Sequence, residues 1–246
     1  MLFVQESHVG VPVFLFSRQR FRYNRKHNRK SKMRDREDLR EKLKLYVITD
    51  RSWLGQETLY EQVEKALKGG ATLVQLREKE LEETVFEKEA RELLELCHSY
   101  GVPLIINDNV ELAKRVDADG VHIGQDDMKP EAVRQLLGQD KIVGVTAKTV
   151  EQAKAAEAAG ADYLGSGAVF GTSTKKDAKN MELSLLQEIC ESVAIPVVAI
   201  GGIDSDNILK LKGRKMAGVA VVSGIFASED IEKETRSLLR KVKDII

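Results

Sequence analysis

The sequence predicts a (β/α)8 TIM barrel, and three features predict it. Eight short apolar runs rich in β-branched residues recur along the chain. Amphipathic stretches of helical period separate them, and several end in Gly just before the next run. No G-x-G-x-x-G follows the first run, which weighs against a doubly wound open sheet. Strict alternation of strand and helix means parallel strands joined by helical crossovers. Eight such units in about 200 residues is the compact end of the range for a closed barrel.

The strand runs are KLYVITD (44–50), TLVQLRE (72–78), PLIIND (103–108), GVHIG (120–124), KIVGVTA (141–147), YLGSGAVF (163–170), PVVAIGG (196–202) and GVAVVSG (218–224). The helical stretches between them are TLYEQVEKALKGG, EETVFEKEARELLELCHSYG, VELAKRVDAD, KPEAVRQLLG, TVEQAKAAEAAGA, ELSLLQEICESV and SDNILKLKG, and EDIEKETRSLLRKVKDII closes the chain. Residues 43–246 form the expected barrel. Residues 1–42 read as a basic, disordered extension, because runs of like charge are usually solvated. Within it VGVPVFLF has no basic stretch before it and makes a poor signal peptide. SRQRFRYNRKHNRKSKMR admits a nucleic-acid arm or a transit-type presequence as alternatives.

Charge is balanced overall but unevenly placed. Residues 1–44 hold 13 Lys or Arg against 5 Asp or Glu, and the remainder holds 26 against 34. A net acidic body argues against nucleic acid as the main partner. No apolar run is long enough to span a membrane. Cys97 and Cys190 both fall on helical apolar spacing, so buried thiols are expected rather than a disulfide, which suits a reducing, cytoplasmic setting.

In such a barrel, chemistry gathers at the C-terminal ends of the strands. VQLREK places Val74 and Leu76 on one face of strand 2 and Gln75, Arg77 and Lys79 on the other. Strand 3 ends in Asn107 and Asp108, and strand 4 leads to Gln125, Asp126 and Asp127. Strand 5 ends near Thr146, and strand 6 leads to Thr172, Ser173, Thr174 and Lys175. Cations (Arg77, Lys79, Lys175) and carboxylates (Asp108, Asp127) around one mouth suit a polyphosphate with Mg2+. The plainer alternative is a set of rim salt bridges. Gly201, Gly202 and Ser223, after strands 7 and 8, stand where this fold commonly builds a monophosphate cup. The glycines could equally serve only a tight turn. An enzyme joining a diphosphate ester to a phosphorylated nucleophile would need both halves. His122 alternates with apolar residues and reads as a hydrogen-bonded barrel histidine, and Asp126 as solvated.

The stretches YVITD, KGGATLVQLREK, IINDNVELA, DGVHIGQDD, GVTAKT, GADYLGSGAVFGTSTKKD, IPVVAIGGI and VVSGI, in this order, resemble the thiamine-phosphate synthase family over about residues 43 to 228. The resemblance implies a transferase that condenses 4-amino-5-hydroxymethyl-2-methylpyrimidine diphosphate with 4-methyl-5-(2-hydroxyethyl)thiazole phosphate. Thiamine phosphate and pyrophosphate would leave. It implies that Gln75, Leu76, Arg77, Glu78, Lys79, Asn107, Thr146 and Lys175 hold the pyrimidine diphosphate. Asp108 and Asp127 would bind Mg2+, and Thr172, Ser173, Thr174, Gly202, Val222 and Ser223 would hold the thiazole phosphate. It further implies ionisation before capture, with Arg77, Lys79 and Lys175 stabilising the departing diphosphate. The expected partners are these small molecules, with self-association left open. Thr146 stands where relatives often carry Ser, Lys148 where many carry His, and Ala168 where Pro is common. A thiazole tautomerase of the same fold, a non-catalytic thiazole-phosphate-binding protein and another phosphate-cup isomerase are the rivals. None of them needs the cation and carboxylate set found here.

Overall fold

The computed structural model describes residues 36–171 and 180–246. Eight parallel strands close a barrel in sequence order: β1 (Leu45–Ile48), β2 (Leu73–Leu76), β3 (Leu104–Asn107), β4 (Gly120–Ile123), β5 (Ile142–Thr146), β6 (Tyr163–Gly167), β7 (Val197–Ile200) and β8 (Gly218–Val221), with β8 pairing back onto β1. The strands are shorter than the apolar runs that announced them, because the last residues of each run turn out into loops at the mouth. The helices among the described residues are α1 (Arg36–Lys42), α2 (Leu59–Gly69), α3 (Glu83–Ser99), α4 (Val110–Val116), α5 (Pro130–Leu137), α6 (Val150–Ala158), α7 (Leu183–Ser192), α8 (Ser223–Phe226) and α9 (Ile231–Ile245). SDNILKLKG, expected as a helix, forms a 3-10 turn over Ile208–Leu211. α2 shows how the ends are set. Thr58 and Glu61 form a reciprocal capping box at its start, and Gly70 closes it in the left-handed conformation.

Alternation within the strands makes two cores. Outward residues such as Val47, Leu76, Ile106 and Leu164 pack against the helices. Inward residues, among them Tyr46, Leu73, Ile105, Tyr163 and Val198, fill the barrel. Leu39 and Leu43 join this inner cluster. Residues 36–42, expected within the extension, are therefore the helix α1, which closes the N-terminal end of the barrel with an apolar side chain.

A repeat at that closed end pairs the strands two by two. The residue just before each even strand, Thr72, Asp119, Asp162 or Ala217, donates its N–H to a carbonyl in the preceding odd strand: Leu45, Leu104, Val143 or Val197. In the first three pairs its side chain also accepts the N–H of that same residue, at 2.8–2.9 Å. Ala217 has no side-chain acceptor, so the last pair lacks the second bond. Arg134, on α5, reinforces the third pair. Its guanidinium, 9% exposed, donates to Gly160 O at 2.9 Å, to Lys141 O at 2.6 Å and to the Asp162 carboxylate.

Cys97 is buried and Cys190 half-buried, and both are free. Burial pushes both thiols up, Cys190 to about 12, so neither is a thiolate at neutral pH.

Arg134→Met would leave two carbonyls and a carboxylate without their donor. We expect a loss of roughly 3 kcal/mol in urea unfolding. The kcat/KM of the folded fraction should hold, because this face of the barrel carries stability rather than chemistry.

Candidate active site

Glycines make room inside the barrel for polar rings. A Cβ on Gly144 would lie 2.1 Å from Cζ of Tyr163, and one on Gly165 would lie 3.1 Å from Cε1 of His122. In the space these glycines leave, five side chains from five strands form one hydrogen-bonded chain. Gln75 Nε2 donates to Tyr46 Oη. Tyr46 Oη and Tyr163 Oη lie 2.8 Å apart, with the rings edge-on. Tyr163 Oη meets His122 Nδ1 at 3.0 Å, and His122 Nε2 meets Thr146 Oγ1 at 3.0 Å. Burial raises the pKa of both phenols far above the ordinary value, so both stay protonated.

The chain ends at the mouth. Thr146 is the last residue of β5 and is half-buried, as is Asn107 at the end of β3. Asp108 follows in the left-handed region, φ 59°, unusual for a residue with a Cβ. Its N–H donates to His122 O at 2.8 Å, and Asn107 Nδ2 donates to its carboxylate at 2.6 Å. Asn109 then caps α4 by accepting the Leu112 N–H. The local sequence NDN thus spends one Asn on the carboxylate and the other on the helix. Asp127 is exposed, and its Oδ2 accepts the Gly124 N–H at 2.7 Å. Gln125 Nε2 donates to Thr146 O, which ties the loop after β4 to the end of β5.

The face proposed for strand 2 divides by depth. Gln75 is buried, the Arg77 side chain is 14% exposed, and Lys79 is exposed. Leu76 is fully buried in the outer core, so only its main chain can face a ligand. Glu78 turns the same way, and its carboxylate pairs with Arg51 Nε at 2.8 Å. Burial raises its pKa, and Arg51 works against that rise. Arg51 also grips Glu89 of α3 with Nη2 at 2.6 Å. Beneath Arg77, Thr49 Oγ1 accepts its N–H at 3.0 Å, and Asp50 Oδ2 stands 3.9 Å from its Nη1. The sequence reading gave no role to any residue after β1. The polar cluster TDR at the end of the first apolar run was the available signal.

On the other side of the mouth the loops after β6, β7 and β8 nearly touch. A Cβ on Gly202 would lie 2.0 Å from Gly171 O, and one on Gly224 would lie 2.2 Å from Ile203 O. Gly202 has φ 63°, and Asn207 Nδ2 donates to its carbonyl at 2.7 Å. Val222 packs partly against the inner cluster, and Ser223 opens α8. Thr172, Ser173, Thr174 and Lys175 lie outside the described residues.

Arg51→Ala would strand the Glu78 carboxylate. Its pKa would rise further above the unfolded value, so the penalty appears as pH climbs through that folded pKa and vanishes below the unfolded one. The urea midpoint should fall more at about pH 8 than at about pH 4, and Glu78→Gln should restore it.

Residues 45–225 match the thiamine monophosphate synthase family. Thiamine-phosphate synthase 2 of Streptococcus pneumoniae serotype 4 is 47% identical over 207 residues, covering 84% of this chain and 99% of that one. Thiamine-phosphate synthase of Clostridioides difficile is 47% identical over 210 residues, covering 85% and 100%. The solved structure of thiamine phosphate pyrophosphorylase from Pyrococcus furiosus superposes with a TM-score of 0.78 at 40% identity, over 85% of this chain and 99% of that one. The chain belongs to the thiamine monophosphate synthase family.

Proposed function

We propose that this enzyme joins 4-amino-5-hydroxymethyl-2-methylpyrimidine diphosphate to 4-methyl-5-(2-hydroxyethyl)thiazole phosphate, releasing pyrophosphate, by a dissociative substitution that needs Mg2+. One observation carries the reading. A cation-bearing strand end (Arg77, Lys79) and a carboxylate-bearing pair of loops (Asp108, Asp127) share the mouth with a tight glycine cup (Gly202, Val222, Ser223). That division would suit a diphosphate on one side and a monophosphate on the other.

The donor set fits Mg2+. This ion takes one or two carboxylates and completes its octahedron with water and substrate phosphate oxygens. Asp108 and Asp127, on the loops after β3 and β4, would be the chain's share. Bound there, Mg2+ would neutralise charge gathering on the leaving diphosphate.

The residues supply the rest. Arg77 offers a planar fork on a main chain anchored by Thr49, with the Asp50 carboxylate 3.9 Å from Nη1, so it meets the developing charge with little reorganisation. Lys79 adds a mobile point charge from the rim, and Lys175 a third cation. Asn107 and Thr146 contribute neutral polar contacts to the pyrimidine half. Thr172, Ser173, Thr174 and the loop amides around Gly202 and Ser223 take the thiazole phosphate. Binding places the thiazole nitrogen against the carbon that loses pyrophosphate, which turns capture into a unimolecular step. The two free thiols fit a cytoplasmic setting. No described helix is long and apolar enough to cross a membrane.

Asp108→Asn keeps a residue type that tolerates the left-handed backbone while removing the charge. With both substrates present, product formation followed as fluorescent thiochrome should require Mg2+. It should fall by roughly 100- to 1,000-fold in this variant and in Arg77→Lys. Mg2+-independent turnover would sink the metal assignment. Absence of product from folded wild-type protein that still binds thiazole phosphate would instead favour a non-catalytic binding role.

A further inference from the structure

We propose that Tyr163 and His122 are positioning residues that fix the direction of the hydrogen bonds across the barrel, so that Thr146 reaches the mouth as a donor. This rests on the reading in which Thr146 contacts the diphosphate substrate.

The direction follows from counting protons along the chain. The Gln75 amide nitrogen can only donate, and it donates to Tyr46 Oη. The buried Tyr46 hydroxyl, already accepting from Gln75, satisfies its own proton by giving it to Tyr163 Oη, 2.8 Å away. Tyr163 in turn gives its proton to His122 Nδ1 at 3.0 Å. A neutral imidazole that accepts at Nδ1 carries its hydrogen on Nε2. That hydrogen goes to Thr146 Oγ1 at 3.0 Å. The Thr146 oxygen is thereby used as an acceptor, and its own proton is left for the mouth. A phosphate or other anionic oxygen is the matching ligand atom, whereas a substrate N–H would meet the wrong polarity.

Neither tyrosine can act by touching substrate. Tyr163 is 0% exposed and Tyr46 1%, beneath the half-buried His122 and Thr146. The phenols also sit where an inward Leu or Ile would fill the barrel without any polar burial. Their hydroxyls are satisfied only as links in this chain. The glycines at 144 and 165 leave room for the rings, as a methyl at 144 would collide with Tyr163 and one at 165 would crowd His122.

The test is a double-variant cycle in the full-length protein, with Tyr163→Phe, Thr146→Val and both together. Without the Tyr163 hydroxyl, His122 Nδ1 loses its donor, and Thr146 can turn its proton back onto Nε2. Each single change should lower kcat/KM by roughly 10- to 100-fold, the effect of one hydrogen bond to a charged acceptor. The double variant should fall no further than Thr146→Val alone. Thr146→Ser, which restores the hydroxyl, should recover activity relative to Thr146→Val and regain the sensitivity to Tyr163→Phe. Effects that multiply would mean that Tyr163 acts only through packing, and would overturn the proposal.

Nitrogen-15 NMR of the histidine side chains gives an independent answer that needs no turnover. Wild type should carry the His122 proton on Nε2, and Tyr163→Phe should shift the tautomer balance. A proton resting on Nδ1 in the wild type would overturn the proposed direction. Should the wild type make no thiamine phosphate, the reaction assignment fails, and the tautomer still decides the direction of the chain.

Discussion

The hydroxyl contact between Tyr46 and Tyr163, 2.8 Å long in the middle of the barrel, is the central link of a hydrogen-bonded chain that joins five strands. Two phenols buried in an apolar interior cost free energy unless each finds a partner, on the order of 1–3 kcal/mol for each stranded group. Partners are met only if Gln75, His122 and Thr146 all face inward at matched heights. The strand registers arrange this. Asn107 pairs with His122, His122 with Gly144, and Gly144 with Tyr163. A slip of one residue in any of these strands would send a polar group into the helix layer and a glycine position under a helix.

The two ends of the barrel divide the remaining work. At the closed end, Thr72, Asp119 and Asp162 tie strands into pairs, Arg134 braces one pair, and Leu39 and Leu43 seal the interior. These groups are all satisfied within the protein. At the open end, charges are left facing outward, as at Lys79 and at Asp127, whose carboxylate accepts a main-chain N–H. Arg51 belongs between the two patterns. It stabilises a buried carboxylate, yet it also ties the loops after β1 and β2 to α3.

Periodicity made most of this fold legible. All eight strands lie inside the apolar runs, because inward and outward faces are both apolar in a closed parallel barrel. The strand ends were less legible, since the same β-branched residues continue into the loops. α1 was hidden because REDLREK resembles the charged segment before it, and its apolar contribution comes from Leu39 and from Leu43 just beyond. The 3-10 turn at Ile208 was hidden because Ile208 and Leu211 share a face in either helix type. Gln75, Arg77 and Asp108 were legible as polar residues at strand ends. The inner chain was not. Tyr46 and Tyr163 look like any aromatic core residue in sequence, and the pairing of their hydroxyls depends on strands 117 positions apart.

His122 joins two parts of the mouth. Its carbonyl accepts the N–H of Asp108, which holds that carboxylate in a backbone conformation costing of order 1–2 kcal/mol. Its ring joins Tyr163 to Thr146 on the other side of β4. A shift of β4 along its axis would therefore disturb the carboxylate loop and the Thr146 hydroxyl together. A general base would need a ring nitrogen open to substrate, but both nitrogens of His122 are already engaged. The residue's contribution is geometric. It couples the placement of the Asp108 carboxylate on one side to the hydrogen bond at Thr146 on the other, through a single strand.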